Sequence, residues 1–135
     1  TLTISYGGPG SDNEWETADD TIQARYVSTW TPDRLTKVTV NYLGPGTDNT
    51  WETGDDLITG IVETVFKSDM IPDHSYTRAP GADGLPNTGD DVVMGYTVYT
   101  YENGDIKSHS AYSSAGLDGD WETVADNTKQ YTVFY

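Results

Sequence analysis

Twelve aspartates stand where their spacing could hold a metal ion. They are Asp12, Asp19 and Asp20; Asp48, Asp55 and Asp56; Asp83, Asp90 and Asp91; and Asp118, Asp120 and Asp126. They fall in four windows that align residue by residue: "GPGSDNEWETADD" at 8–20, "GPGTDNTWETGDD" at 44–56, "APGADGLPNTGDD" at 79–91 and "SAGLDGDWETVAD" at 114–126. The windows recur at intervals of 36, 35 and 35 residues. They hold sixteen of the 22 acidic residues and no Lys or Arg. Carboxylates about 4 Å apart repel by about 1 kcal/mol per pair in bulk water, and by several times that near protein. A bound cation is the simplest offset. The available donors are all hard oxygens: carboxylates, the Thr53 hydroxyl, the Asn13 and Asn49 amides, and carbonyls near Asn49 and Trp51. Such donors suit Ca²⁺, which accepts six to eight oxygens in irregular geometry. Zinc would want His or Cys, but His74 and His109 lie outside the windows and the chain has no Cys. Mg²⁺ demands stricter octahedral geometry. The spacing is not that of an EF-hand loop. The competing reading is local, with Asp-Gly and Asp-Asn making Asx turns and the Asp pairs ending strands. In the fourth window Ala125 replaces the first Asp of the pair, so that site is expected to be the weakest.

The segments between the windows must position them, and they alternate with period two. "TIQARYVSTW" places Ile22, Ala24, Tyr26, Ser28 and Trp30 on one face. "LITGIVETVF" does the same with Ile58, Gly60, Val62, Thr64 and Phe66, and "VVMGYTVYTY" with Val93, Gly95, Thr97, Tyr99 and Tyr101. Each of these meets a short turn, "TPDR", "SDMIPD" or "ENGD". Asn103-Gly104 is a strong hairpin signal, because both residues tolerate positive φ. A second strand follows each turn, as in "TKVTVNY" with Val38, Val40 and Tyr42 on one face. The pattern predicts an all-β fold: an antiparallel meander of about eight strands, built from four repeats over residues 1–135 as a single domain. "TLTISY" reads as the second strand of a unit and "KQYTVFY" as the first strand of one. Their pairing would close the sheet into a barrel, whereas a cut from a longer array would leave it open. Both outcomes stand at this point.

The composition narrows the function. The balance is 22 acids against 7 bases, a net charge of −15. That charge repels nucleic acid and anionic membranes. No apolar run approaches the roughly 20 residues of a membrane helix. Ten Tyr, four Trp and two Phe argue for a folded chain despite the charge. The chain does not begin with Met, so a processed form or a piece of a longer protein is expected. Trp15, Trp51 and Trp121 share one position in the windows, and Pro86 replaces Trp in the third. They either anchor each loop on the sheet or form a platform for sugar. One strand is apolar on both sides, with Val92, Met94, Tyr96 and Val98 opposing Val93, Tyr99 and Tyr101. That predicts a second packed layer or self-association.

The pattern "G-x-D-[GN]-x-W-x-T-x-D-D", followed by a Tyr-rich strand and "YENGDI", resembles the tandem acidic repeats of secreted bacterial surface proteins. It is also similar to the Tyr-Asp repeats of RHS-type proteins, and the loops resemble thrombospondin type 3 calcium repeats. This resemblance implies an extracellular or cell-surface, β-rich, calcium-stabilised module. The expected function is a structural or adhesive repeat module whose cofactor is Ca²⁺. The expected partners are calcium ions, with polysaccharide or neighbouring repeats of the same protein beside them. A carbohydrate-binding module is the alternative. Catalysis is not expected. A glycosidase pair would be singular and set in a pocket, whereas these acids recur. No phosphate loop, nucleophile elbow or His-paired nucleophile is present.

Overall fold

The computed structural model describes every residue of the chain except Ala18, Asp69 and Asp126. The described residues form eight strands and no helix: β1 (Leu2–Gly8), β2 (Thr21–Trp30), β3 (Thr36–Gly44), β4 (Leu57–Ser68), β5 (Ile71–Ala79), β6 (Val92–Glu102), β7 (Asp105–Tyr112) and β8 (Lys129–Phe134). They make one antiparallel sheet in the order β1-β2-β3-β4-β5-β6-β7-β8. Each strand touches only its neighbours in sequence. The sheet is therefore open, and of the two outcomes left by the sequence the barrel is not the one adopted. In such a meander, alternate connections lie at the same end. All four acidic loops thus gather at one end, and the tight turns at the other. Asn103 and Gly104 both have positive φ, 54° and 93°, as their turn requires.

Strict alternation fails at several places, and one of them recurs in every repeat. Tyr6 pairs with Ile22 but Ser5 pairs with Ala24; Tyr42 pairs with Ile58 but Asn41 with Gly60; Arg78 pairs with Val93 but Thr77 with Gly95. An extra residue in each case (Gln23, Thr59 or Met94) bulges out of the ladder. The bulge sends Ile22, Ile58 and Val93 to the face opposite Ala24, Gly60 and Gly95, which corrects the single-face assignment made from sequence. Gln130 bulges in the same place on β8, between the pairs Tyr112–Lys129 and Ala111–Tyr131.

The core sits on the face that carries Val40, Tyr42 and Ile61, with Val27, Val38, Ile58 and the loop residue Trp51 packed around them. Val38, Val40 and Tyr42 share this face as β3's alternation predicts. Ile61 is fully buried, lying between Val40 on β3 and Arg78 on β5. No second sheet covers this face among the described residues; the loops fold back onto it instead. Trp51 meets Tyr42 edge-on with ring centroids 6.5 Å apart. The Arg25 guanidinium lies 5.3 Å from the Trp51 ring centre and pairs with Glu52 at 3.4 Å. The fourth loop docks through Glu122, whose Oε1 accepts the Tyr76 hydroxyl at 2.9 Å.

Candidate metal centres

Each loop begins where the chain leaves a second strand and must turn back sharply. Gly46 makes that turn in the left-handed region (φ 63°), close against Asp55. The turn aims the next donors inward. The Thr47 N–H and hydroxyl donate to Asp55 Oδ2 at 2.6 and 2.7 Å, and the Asp48 N–H donates to the same oxygen at 3.2 Å. Asp56 is buried, and its Oδ2 accepts the N–H groups of Glu52 and Thr53 at 2.5 and 3.3 Å. Glu52 takes a φ of 69°, strained for a residue with a side chain, and the bond to Asp56 holds it there. Asp48 Oδ1 accepts the Thr50 N–H, an Asx turn, at 2.7 Å.

The first loop repeats this arrangement. The Ser11 N–H and hydroxyl both donate to Asp19 Oδ2 at 2.7 Å, and the Glu16 N–H donates to Asp20 Oδ2 at 2.6 Å. Asp12 Oδ1 accepts the Glu14 N–H at 2.9 Å. Part of the carboxylate repulsion is therefore offset by the loop's own donors. The sequence reading made a cation the simplest offset and Asx turns the competing one; the Asx turns are present, at Asp12 and Asp48.

These donors leave a deficit at one point. The Thr53 hydroxyl lies 2.9 Å from Asp55 Oδ1, 3.2 Å from Asp56 Oδ1 and 3.1 Å from the Thr50 carbonyl oxygen. It has one proton for three acceptors. The Thr17 hydroxyl is placed likewise, 2.9 Å from Asp19 Oδ1, 3.2 Å from Asp20 Oδ1 and 3.4 Å from the Glu14 carbonyl oxygen. In both loops three carboxylates converge: one oxygen each from Asp12, Asp19 and Asp20, and one each from Asp48, Asp55 and Asp56, lie within 4.8 Å of one another.

The other two loops differ. Among the described residues Asp83, Asp90 and Asp91 do not converge to that spacing. Ala82 stands where Ser11 and Thr47 stand, so Asp90 Oδ2 loses its hydroxyl donor and keeps the Asp83 N–H at 3.2 Å. Leu85 turns toward the second loop, where a Cβ on Gly54 would lie 3.3 Å from it. Asp91 Oδ1 is buried and takes no hydrogen bond. In the fourth loop Asp118 Oδ1 accepts the Asp120 N–H, and Asp120 in turn accepts from the Glu122 N–H and the Thr123 hydroxyl. Asp126 lies outside the described residues.

Hydrogen bonding to the ionised form holds several of these carboxyls low. The Ser11 hydroxyl holds Asp19, and the Thr47 hydroxyl holds Asp55, far below the ordinary value of 3.8. Asp90 is lowered chiefly by the Thr88 hydroxyl, and Asp120 by the Glu122 N–H. A carboxyl depressed in the folded state contributes stability above its unfolded value, and loses it as pH falls through the folded one. Melting temperature without metal is thus expected to be flat from neutral pH down to about pH 5 and to fall steadily below about pH 4. Thr47→Val should shallow that acid limb, as read by melts across the same pH series.

Sequence reasoning missed Arg25 and Ser11/Thr47. Arg25 is one of only seven bases and sits mid-strand facing the core, which was a usable signal. The hydroxyls recur one residue before the aligned Asp in the first two loops, which was a usable signal too. The Trp residues are not equivalent: Trp51 and Trp121 are half-buried, and Trp15 is 58% exposed.

No protein-family model matches this chain, and no curated protein does. One solved structure is similar to it, that of a protein of unknown function from Bacteroides fragilis. The likeness covers 100% of this chain and 92% of that one, with a TM-score of 0.58 and 10% identity. At that identity it bears on the fold alone.

Proposed function

We propose that the first and second loops each hold one calcium ion, and that the chain is a calcium-stabilised structural or adhesive module of a secreted or cell-surface bacterial protein. The observation that carries the reading is the convergence of three carboxylate oxygens within 4.8 Å in both loops, two of the three carboxylates sharing a hydroxyl with too few protons for its acceptors. Calcium holds its oxygens at 2.3–2.6 Å, so two oxygens on one ion lie at most about 5.2 Å apart. Both clusters fit that limit. Asp48 Oδ2 takes no hydrogen bond among the described residues and is available as a ligand. The third and fourth loops are weaker sites. Recurrence of the acids in every loop supports binding and structure over catalysis. A sugar platform would need several exposed rings in a row, and here Trp51 and Trp121 are half-buried.

Calorimetric titration tests this. Two calcium ions should bind per chain with dissociation constants of about 10⁻⁴–10⁻³ M, the range of extracellular modules. Asp48→Asn should remove one and Asp12→Asn the other. Unchanged stoichiometry in both variants would remove these loops from the account.

A further inference from the structure

The two edges of the sheet are halves of one repeat. Ile4 pairs with Arg25, Val40 with Ile61, Tyr76 with Tyr96 and Ser110 with Thr132, so Thr132 on β8 is the counterpart of Arg25, Ile61 and Tyr96. Across the tight turns, those three pair with Tyr42, Arg78 and Tyr112. The counterpart of these on β1 is Tyr6, which precedes its bulge as Tyr42, Arg78 and Tyr112 precede theirs. The hairpin interface used three times inside the chain thus has its first strand at one edge and its second at the other.

Among the described residues, both edges also lack the charges, prolines and coverings that usually protect an open strand. β1 has no charged residue and β8 only Lys129, in a chain of net charge −15. On and just beyond β8, Tyr131, Phe134 and Tyr135 are 51%, 75% and 75% exposed. The backbone is in phase for pairing. The Tyr135 N–H is used on β7, at Lys107 O, and the Ser28 N–H reaches Thr1 O. By alternation the amides of Thr132, Phe134 and Ile4 face outward.

We propose that β8 of one copy pairs antiparallel with β1 of a second copy of this chain, Thr132 opposite Tyr6 and Phe134 opposite Ile4, continuing the sheet head to tail. The contact is heterologous, so it propagates rather than closing into a dimer. It is independent of cation binding in the loops.

In this register Val133 faces Ser5 as a non-hydrogen-bonded pair, where opposed side chains come closest and a disulfide fits. The chain has no native Cys. Full-length Ser5→Cys and Val133→Cys chains are mixed in a glutathione redox buffer and the disulfide dimers quantified. Chance gives twice as much mixed dimer as either homodimer. The pairing predicts mixed dimer at about ten times either homodimer or more, about five times the chance ratio, a bias of about 1 kcal/mol. Adding Phe134→Pro to the Val133→Cys chain, which removes an outward amide, should abolish the excess. The chance ratio, an excess of either homodimer, or no dimer would overturn the proposal. So would an intrachain bridge in the Ser5→Cys/Val133→Cys double variant, which would mean that the sheet closes on itself. Thr3→Cys with Tyr135→Cys is the next pair in the same register and replaces the first if either of those variants does not fold.

Discussion

Ile61→Ala is expected to lower the stability of the chain by about 2–5 kcal/mol, the range for truncating a buried aliphatic side chain. Ile61 is the one large side chain among the described residues that is fully buried. It is the centre of a cluster in which one loop residue, Trp51, supplies part of the cover. The buried Tyr96 and Tyr112 on β6 and β7 lie outside this cluster. Domains of this kind have about 5–15 kcal/mol in total. Urea unfolding reads the change as a shift in midpoint at unchanged slope. Leu43→Ala is the control: Leu43 is 49% exposed on β3 and should change stability by no more than about 0.5 kcal/mol. Equal effects at the two positions would mean that the packed face is not where stability resides.

Gly46→Ala should have the second large effect. At φ 63° an added Cβ would sit 2.5 Å from the Asp55 carbonyl oxygen and 2.6 Å from its carboxyl carbon. The left-handed backbone alone costs about 1–2 kcal/mol for a residue with a side chain. The clash adds to this, because backbone rather than a flexible side-chain end stands in the way. The loop must open, which draws the Thr47 donors off Asp55 and parts the carboxylates. The expected result is a loss of more than about 2 kcal/mol in urea unfolding, together with one calcium fewer in calorimetry. Gly89→Ala is the comparison. A Cβ added there would meet nothing within 4 Å, and the change should be close to neutral. A neutral Gly46→Ala would show that the turn does not shape the cluster.

Much of the fold could be read from the chain because the repeat did the averaging. Four copies of one spacing placed the loops, and period-two runs of β-branched and aromatic residues placed the strands. Asn103-Gly104 marked its turn by chemistry alone. The bulges at Gln23, Thr59 and Met94 could not be read, because an extra residue in a ladder leaves no mark on a run that is apolar on both sides of it. The state of the sheet edges was open for a related reason: edge strands and closing strands have the same composition. Within the site, the aspartates of the first two loops were legible from recurrence. That the third loop would pack differently was legible from its missing Trp and Glu, replaced by Pro86 and Asn87, but the loss of the hydroxyl donor to Asp90 was not. That loss comes from Ala82 standing where Ser11 and Thr47 stand, and its effect depends on where the turn aims its donors. The loop Trp residues shared a position in sequence but not in burial: Trp15 and Trp51 each meet a tyrosine edge-on at 6.5 Å, but only Trp51 also has the Arg25 guanidinium beside its ring.

The most direct test of the central claim is a thermal melt of the full chain in calcium, then in excess chelator, with magnesium as the control. Binding to the native state alone stabilises it by about 2.7 kcal/mol at a hundred times the dissociation constant. The melting temperature should therefore rise clearly with calcium, rise further with its concentration, and return to its starting value on chelation, with magnesium giving a much smaller shift. A melting temperature indifferent to calcium would mean that the loop donors and Asx turns alone hold these carboxylates, and the calcium account would be wrong.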